Sequence, residues 1–170
     1  LNNNNNFTDP WVRYLQEQFV RLGGDKTYNL GGYLTTDTTD VGNVGIGEDN
    51  LITYSLEKNI VNKAGNNLEI TAYGTTAANA NKKTRKLKIR TTTLFSTEAV
   101  ALNNKDWEIR STITRTAAAT QVCSTIFSGD ISLVTQTSDF VSGTEDFTTA
   151  LTIKATGEAT SNDDIIQKGL

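Results

Sequence analysis

From Leu51 onward the chain alternates between apolar and polar positions. Ile52, Tyr54 and Leu56 are separated by Thr53 and Ser55, and Leu68, Ile70 and Ala72 by Glu69 and Thr71. Leu87 and Ile89 alternate with Lys86, Lys88 and Arg90; Trp107, Ile109 and Ile113 alternate with Glu108, Arg110, Thr112 and Thr114. Period two is the mark of a strand with one buried face. Further runs follow at Leu94-Phe95, at Gln121 to Phe127, from Ile131 and Leu133, and at Phe147, Leu151 and Ile153, with Ile165-Ile166 opening a last one. Each is bounded by Asn, Gly, Lys or Asp, as turns require. About eight or nine short strands with no helix between them predict an antiparallel β-sandwich or jelly roll.

Composition points the same way. Of 170 residues, 28 are Thr and 17 are Asn. Thr is β-branched and suits a pleated strand, and Asn tolerates tight turns. The chain has no His and a single Cys, Cys123. That removes the Ser–His–Asp triad, Cys–His chemistry, His-based metal sites, zinc knuckles, iron–sulfur clusters and any internal disulfide, and leaves metal-free or Asp/Glu-based enzymes and binding or structural proteins. A net charge of −3 argues against a dedicated nucleic-acid binder. No apolar run approaches a membrane-spanning length, and no signal peptide is evident. The absence of Met implies a processed chain or a fragment.

The first 45 residues read differently. Asp9 and Pro10 are N-cap and first-turn residues, and Gly23-Gly24 is a stop. Between them Trp11, Leu15, Phe19 and Leu22 fall on one face, which predicts a short N-terminal α-helix. Such a helix is too short to stand alone and needs a surface to pack on, its own domain or other copies around an axis. Seven of the thirteen glycines lie between Gly23 and Gly47, amid Thr and Asp, predicting an extended Gly/Thr-rich connector that draws its hydrogen bonds from neighbouring chains. The division expected is residues 1–45 for attachment and oligomerisation and 46–170 for the head.

Several runs carry a family resemblance. They are Gly45-Ile46-Gly47-Glu48-Asp49-Asn50-Leu51-Ile52, Asn67-Leu68-Glu69-Ile70-Thr71-Ala72-Tyr73-Gly74 continuing through Ala77-Ala78-Asn79-Ala80-Asn81-Lys82-Lys83-Thr84, Asp106-Trp107-Glu108-Ile109-Arg110, and Thr152-Ile153-Lys154 continuing through Gly157-Glu158-Ala159-Thr160-Ser161-Asn162-Asp163-Asp164-Ile165-Ile166. Together they resemble a jelly-roll domain of phage virion fibre and spike proteins over about residues 45–170. The resemblance implies a small head, usually trimeric, displayed on the virion exterior. It implies a non-enzymatic structural protein without cofactors, whose partners are its own copies, other capsid or tail proteins and a host-surface glycan. A capsid decoration protein without host ligand and a glycan-degrading tail-spike module are the alternatives. Lys86 to Arg90 is more basic than that family's strand, and a further strand is expected after Leu170.

Candidate sites follow from charge and exposure. Lys82, Lys83, Arg85, Lys86, Lys88 and Arg90 form the densest cluster, either a guarded strand or a patch for an acidic subunit or an anionic glycan. Tyr73 alternates outward and is a candidate for sugar stacking or subunit contact. Asp37, Asp40, Glu48 and Asp49 could ligate Ca²⁺ but lack a fixed loop spacing. Glu145-Asp146 and Asp163-Asp164 are adjacent carboxylates with nothing marking them as catalytic. Trp107 and Cys123 are expected in the core. Recognition is expected on loops at Thr75–Lys83, Leu102–Lys105 and Gln136–Glu145.

Overall fold

The computed structural model describes residues 34–131 and 134–170. Two antiparallel sheets face each other as a β-sandwich, and no helix occurs among the described residues. The expected helix with Trp11, Leu15, Phe19 and Leu22 lies outside them. The larger sheet holds β1 (Val41–Gly42), β11 (Ile165–Gly169), β3 (Asn67–Thr76), β7 (Asp106–Ala117), β8 (Thr120–Ile131) and β9 (Val134–Gly143), in that order across the sheet. The smaller runs β2 (Gly47–Leu56), β10 (Leu151–Ala159), β4 (Lys82–Ile89) and β5 (Thr92–Ser96). Strand β6 (Val100–Ala101) continues along the β4 edge where β5 ends.

The alternation read from sequence builds the core. Leu68, Ile70, Ala72, Ile109, Ile113, Cys123 and Phe127 point inward from one sheet, and Leu87, Ile89, Leu94, Phe95, Ile153 and Ala155 from the other. Phe95 and Phe127 stack across the sandwich with ring centroids 5.6 Å apart. Phe147 is a departure. It is not part of β10; it enters the core from a turn that Asp146 holds by accepting the Thr148 amide at 2.9 Å.

Two expectations about the backbone are corrected. Gln136–Glu145 is mostly not a loop, because Gln136 to Gly143 pair with β8, whose second edge would otherwise stand open. The connector, where described, uses its own sandwich. Val41 and Gly42 pair with Ile166 and Gln167, and the Asp37 and Leu170 amides and carbonyls exchange two 3.0 Å hydrogen bonds. The folded unit accordingly reaches back to Thr35. Strand β11 lies between β1 and β3, so it is covered on both sides.

Candidate functional site

A groove of about 690 Å³ crosses the outer face of the larger sheet at one end of the sandwich. Its floor is a row set by strand register: Tyr73 opposite Glu108, and Glu108 opposite Ser128. Asp106 lies opposite Thr75 in the next outward row. Asp106 and Glu108 face outward because Trp107, between them, and Ile109, after them, are core. Asn104 and Lys105, just ahead of β7, and Lys168 on β11 also line it.

Tyr73 is 38% exposed, and its ring lies over Gly169 of the adjacent strand β11. A Cβ on Gly169 would stand 2.4 Å from Tyr73 Cζ, so the ring occupies the space a side chain would need. The β3–β11 register shifts between Gln167 and Gly169, which bulges Lys168 out beside the ring. Lys168 Nζ then reaches Asp40 at 2.6 Å. Gly74 is equally constrained: a Cβ there would meet the Ile166 carbonyl at 2.0 Å and the Trp107 ring at 2.8 Å. Trp107 stays buried with its indole N–H donating to the Thr75 carbonyl at 3.2 Å.

The segment carrying Asn104 and Lys105 is tied to its neighbour. The Thr76 amide donates to the Lys105 carbonyl at 2.9 Å, and the Lys105 amide donates to Thr76 Oγ1 at 3.0 Å. Asn104, in the left-handed region at φ 51°, donates its amide to the Ala77 carbonyl. The expected recognition segments Thr75–Lys83 and Leu102–Lys105 therefore meet at one place, next to Tyr73.

Beneath them lies a buried polar clamp. Asp164 accepts hydrogen bonds from the Asn79 and Asn81 side chains and from the Ser161 amide. Burial opposes its ionisation, but the Asn79 and Asn81 hydrogen bonds outweigh that and hold its carboxyl below the usual range. Lys83 is buried too, donating to Asn79 Oδ1 at 2.8 Å and the Asn81 carbonyl at 2.9 Å. Asn43 completes the set, donating to the Ser161 carbonyl and accepting the Ile165 amide, both at 2.9 Å. Asn79, Asn81, Lys83, Ser161 and Asp164 are thus engaged with one another, around the buried Lys83 and Asp164.

The basic strand is not one patch. Lys82 is exposed, but Lys83 and Arg85 point inward and are fully buried. The Arg85 guanidinium lies 5.0 Å from the Phe127 ring centroid, and none of its nitrogens has a hydrogen-bond partner among the described residues. Burial pulls its pKa down to about 10. Lys86 and Lys88 both bind Glu48, and Lys86 also lies 3.4 Å from Glu158. Burial raises the Glu48 pKa, but the hydrogen bonds from Lys86 and Lys88 prevail and hold it at about 2. Arg90 sits in the β4–β5 turn at φ 51°, with its guanidinium 3.9 Å from Glu145. Lys86, Lys88 and Arg90 thus meet carboxylates of their own chain.

The remaining acidic candidates serve separate local roles. Asp37 caps Thr39, Asp40 pairs with Lys168, and Asp49 accepts the Val44 amide. Glu145 accepts the Thr92 hydroxyl while Asp146 closes its turn. Sequence reasoning singled out Tyr73 but missed Asp106, Glu108, Ser128 and Lys168. The first two were visible as partners in alternation to Trp107 and Ile109; Lys168 depends on a bulge that no pattern announces. Compared with protein-family models, curated proteins and solved structures, the chain matches none.

Proposed function

We propose that the chain is a non-enzymatic virion structural protein, a subunit of a trimeric fibre or spike whose jelly-roll head attaches to a host-surface glycan. The observation that carries the binding half is the convergence of Tyr73 with the Leu102–Lys105 and Thr75–Lys83 segments around one groove. A rigid sandwich with recognition groups gathered at one end is a presenting scaffold. The virion half rests on the sequence resemblance over residues 45–170. Val122 and Ile126, 40% and 38% exposed on the outer face of β8, offer an apolar surface to a neighbouring copy. Several weak heads on one particle then gain avidity through effective concentration.

The test is a truncation after residue 34, ahead of Asn43 and β1. The truncated chain should keep its β-sheet circular dichroism yet fail to enter particles, and the full chain should sediment as a trimer. Incorporation of the truncated chain would remove the anchoring role. A stable monomer at micromolar concentration would remove the oligomer.

A further inference from the structure

We infer that the Tyr73 groove is selective for a neutral saccharide, with a sugar ring stacked on Tyr73 and its hydroxyls bound by Asp106, Glu108, Asn104 and Ser128. This rests on the glycan-attachment reading and narrows it to one site and one ligand class.

The aromatic ring comes first. Tyr73 presents an apolar face with polar groups at its rim, the combination that suits a sugar's C–H face and equatorial hydroxyls. The ring lies over Gly169 on the neighbouring strand β11, so the sheet backbone supports it from one side. The hydrogen-bonding groups come next. Asp106 and Glu108 are acceptors with two oxygens each, able to take paired hydroxyls; Asn104 both donates and accepts, and Ser128 does the same through one hydroxyl. All but Asn104 stand on strands, so their spacing is set by register.

Charge decides between neutral and anionic ligands. The groove's two lysines, Lys105 and Lys168, are balanced by Asp106 and Glu108. Lys168 is also engaged by Asp40, and Arg110 lies 3.1 Å from Glu108. With Lys168 held by Asp40 and Glu108 by Arg110, the described lining carries no surplus cation to attract a sulfate, phosphate or sialic carboxylate, and its polar groups suit an uncharged ligand. The chain's cationic strand belongs to the other sheet, and its Lys86 and Lys88 are already held by Glu48.

The experiment uses the full chain with neutral hexose and N-acetylhexosamine oligosaccharides, and dextran sulfate as the anionic probe, read by saturation-transfer NMR and titration. Neutral oligosaccharide should bind and dextran sulfate should not. Tyr73→Ala should weaken binding about tenfold or more, Tyr73→Phe should retain most of it, and Lys86→Ala should leave it unchanged. Asp106→Ala, at an exposed position, should also weaken it, which guards against a Tyr73 variant that misfolds. No binding of any neutral oligosaccharide at millimolar concentration overturns the inference, as does binding indifferent to both Tyr73→Ala and Asp106→Ala. Binding of dextran sulfate alone, lost in Lys82→Ala, overturns it while leaving glycan attachment standing. A chain that enters particles yet binds no saccharide of either kind overturns both the inference and the glycan reading.

Discussion

Tyr73 and Gly169 share one volume: the ring of the first fills the place where a side chain on the second would lie. Gly169→Ala should therefore push the Tyr73 ring out of its position while leaving the groove's hydrogen-bonding side chains Asp106, Glu108, Asn104 and Ser128 unchanged. Saccharide affinity should fall about as far as in Tyr73→Ala, while the melting temperature drops by only a few degrees. Unchanged affinity in Gly169→Ala would mean that the ring's orientation is not what the ligand reads.

Acid should loosen the contact between β2 and β4. The Glu48 pKa is lowered from 4.5 to about 2 by Lys86 and Lys88, and that of Asp164 is also lowered. A carboxylate with a depressed folded pKa adds stability above its unfolded value and loses it as pH falls through the folded one. Unfolding midpoints should thus decline from roughly pH 4.5 toward pH 2. Glu48→Gln should flatten that decline and remove roughly 1 kcal/mol at neutral pH, since the cluster is partly exposed. An unaltered acid limb in Glu48→Gln would show that the lysines do not hold this carboxylate.

Arg85 makes an unusual demand on the core. Its guanidinium is buried with no hydrogen-bond partner among the described residues and lies against the Phe127 face. Replacing a buried ion with an apolar side chain of similar length is often stabilising by about 1–4 kcal/mol. Arg85→Met should raise the denaturation midpoint, whereas Arg85→Ala should lower it by leaving a void against Phe127. If Met and Ala destabilise equally, the guanidinium has an interaction that this arrangement does not display.

Cys123 is a timer for global opening. Burial pushes its thiol up to about 11, and the side chain is 1% exposed between the sheets. At pH 8 a disulfide reagent should react only at the rate at which the sandwich opens, accelerating in step with added urea. Rapid labelling of the native chain would contradict this packing.

Much of the sandwich was legible because burial imposes period two. Leu68, Ile70, Ala72, Leu87, Ile89, Trp107, Ile109 and Ile113 all face the way their alternation indicated. The pattern failed where a charge faces inward. Lys83 and Arg85 sit in phase with Leu87, yet a run of cations reads as surface until acceptors such as Asn79 and Asn81 are placed around the ammonium. Gln136 to Gly143 read as a loop because its Thr and Ser serve strand and turn alike; only pairing with β8 decides between them. Tyr73 could be assigned outward from one strand. Its groove could not, because Asn104, Ser128 and Lys168 reach it from three other segments.

The paired backbone of Asp37 and Leu170 brings both ends of the sandwich to one spot. The chain path through the sandwich thus returns to the side on which it entered, and the same sheets would accept more than one order of strands in sequence. Joining residue 170 to residue 37 through a few glycines and cutting instead in the exposed Glu98-Ala99 segment between β5 and β6 should give a permuted chain with the same strands in the same order across each sheet.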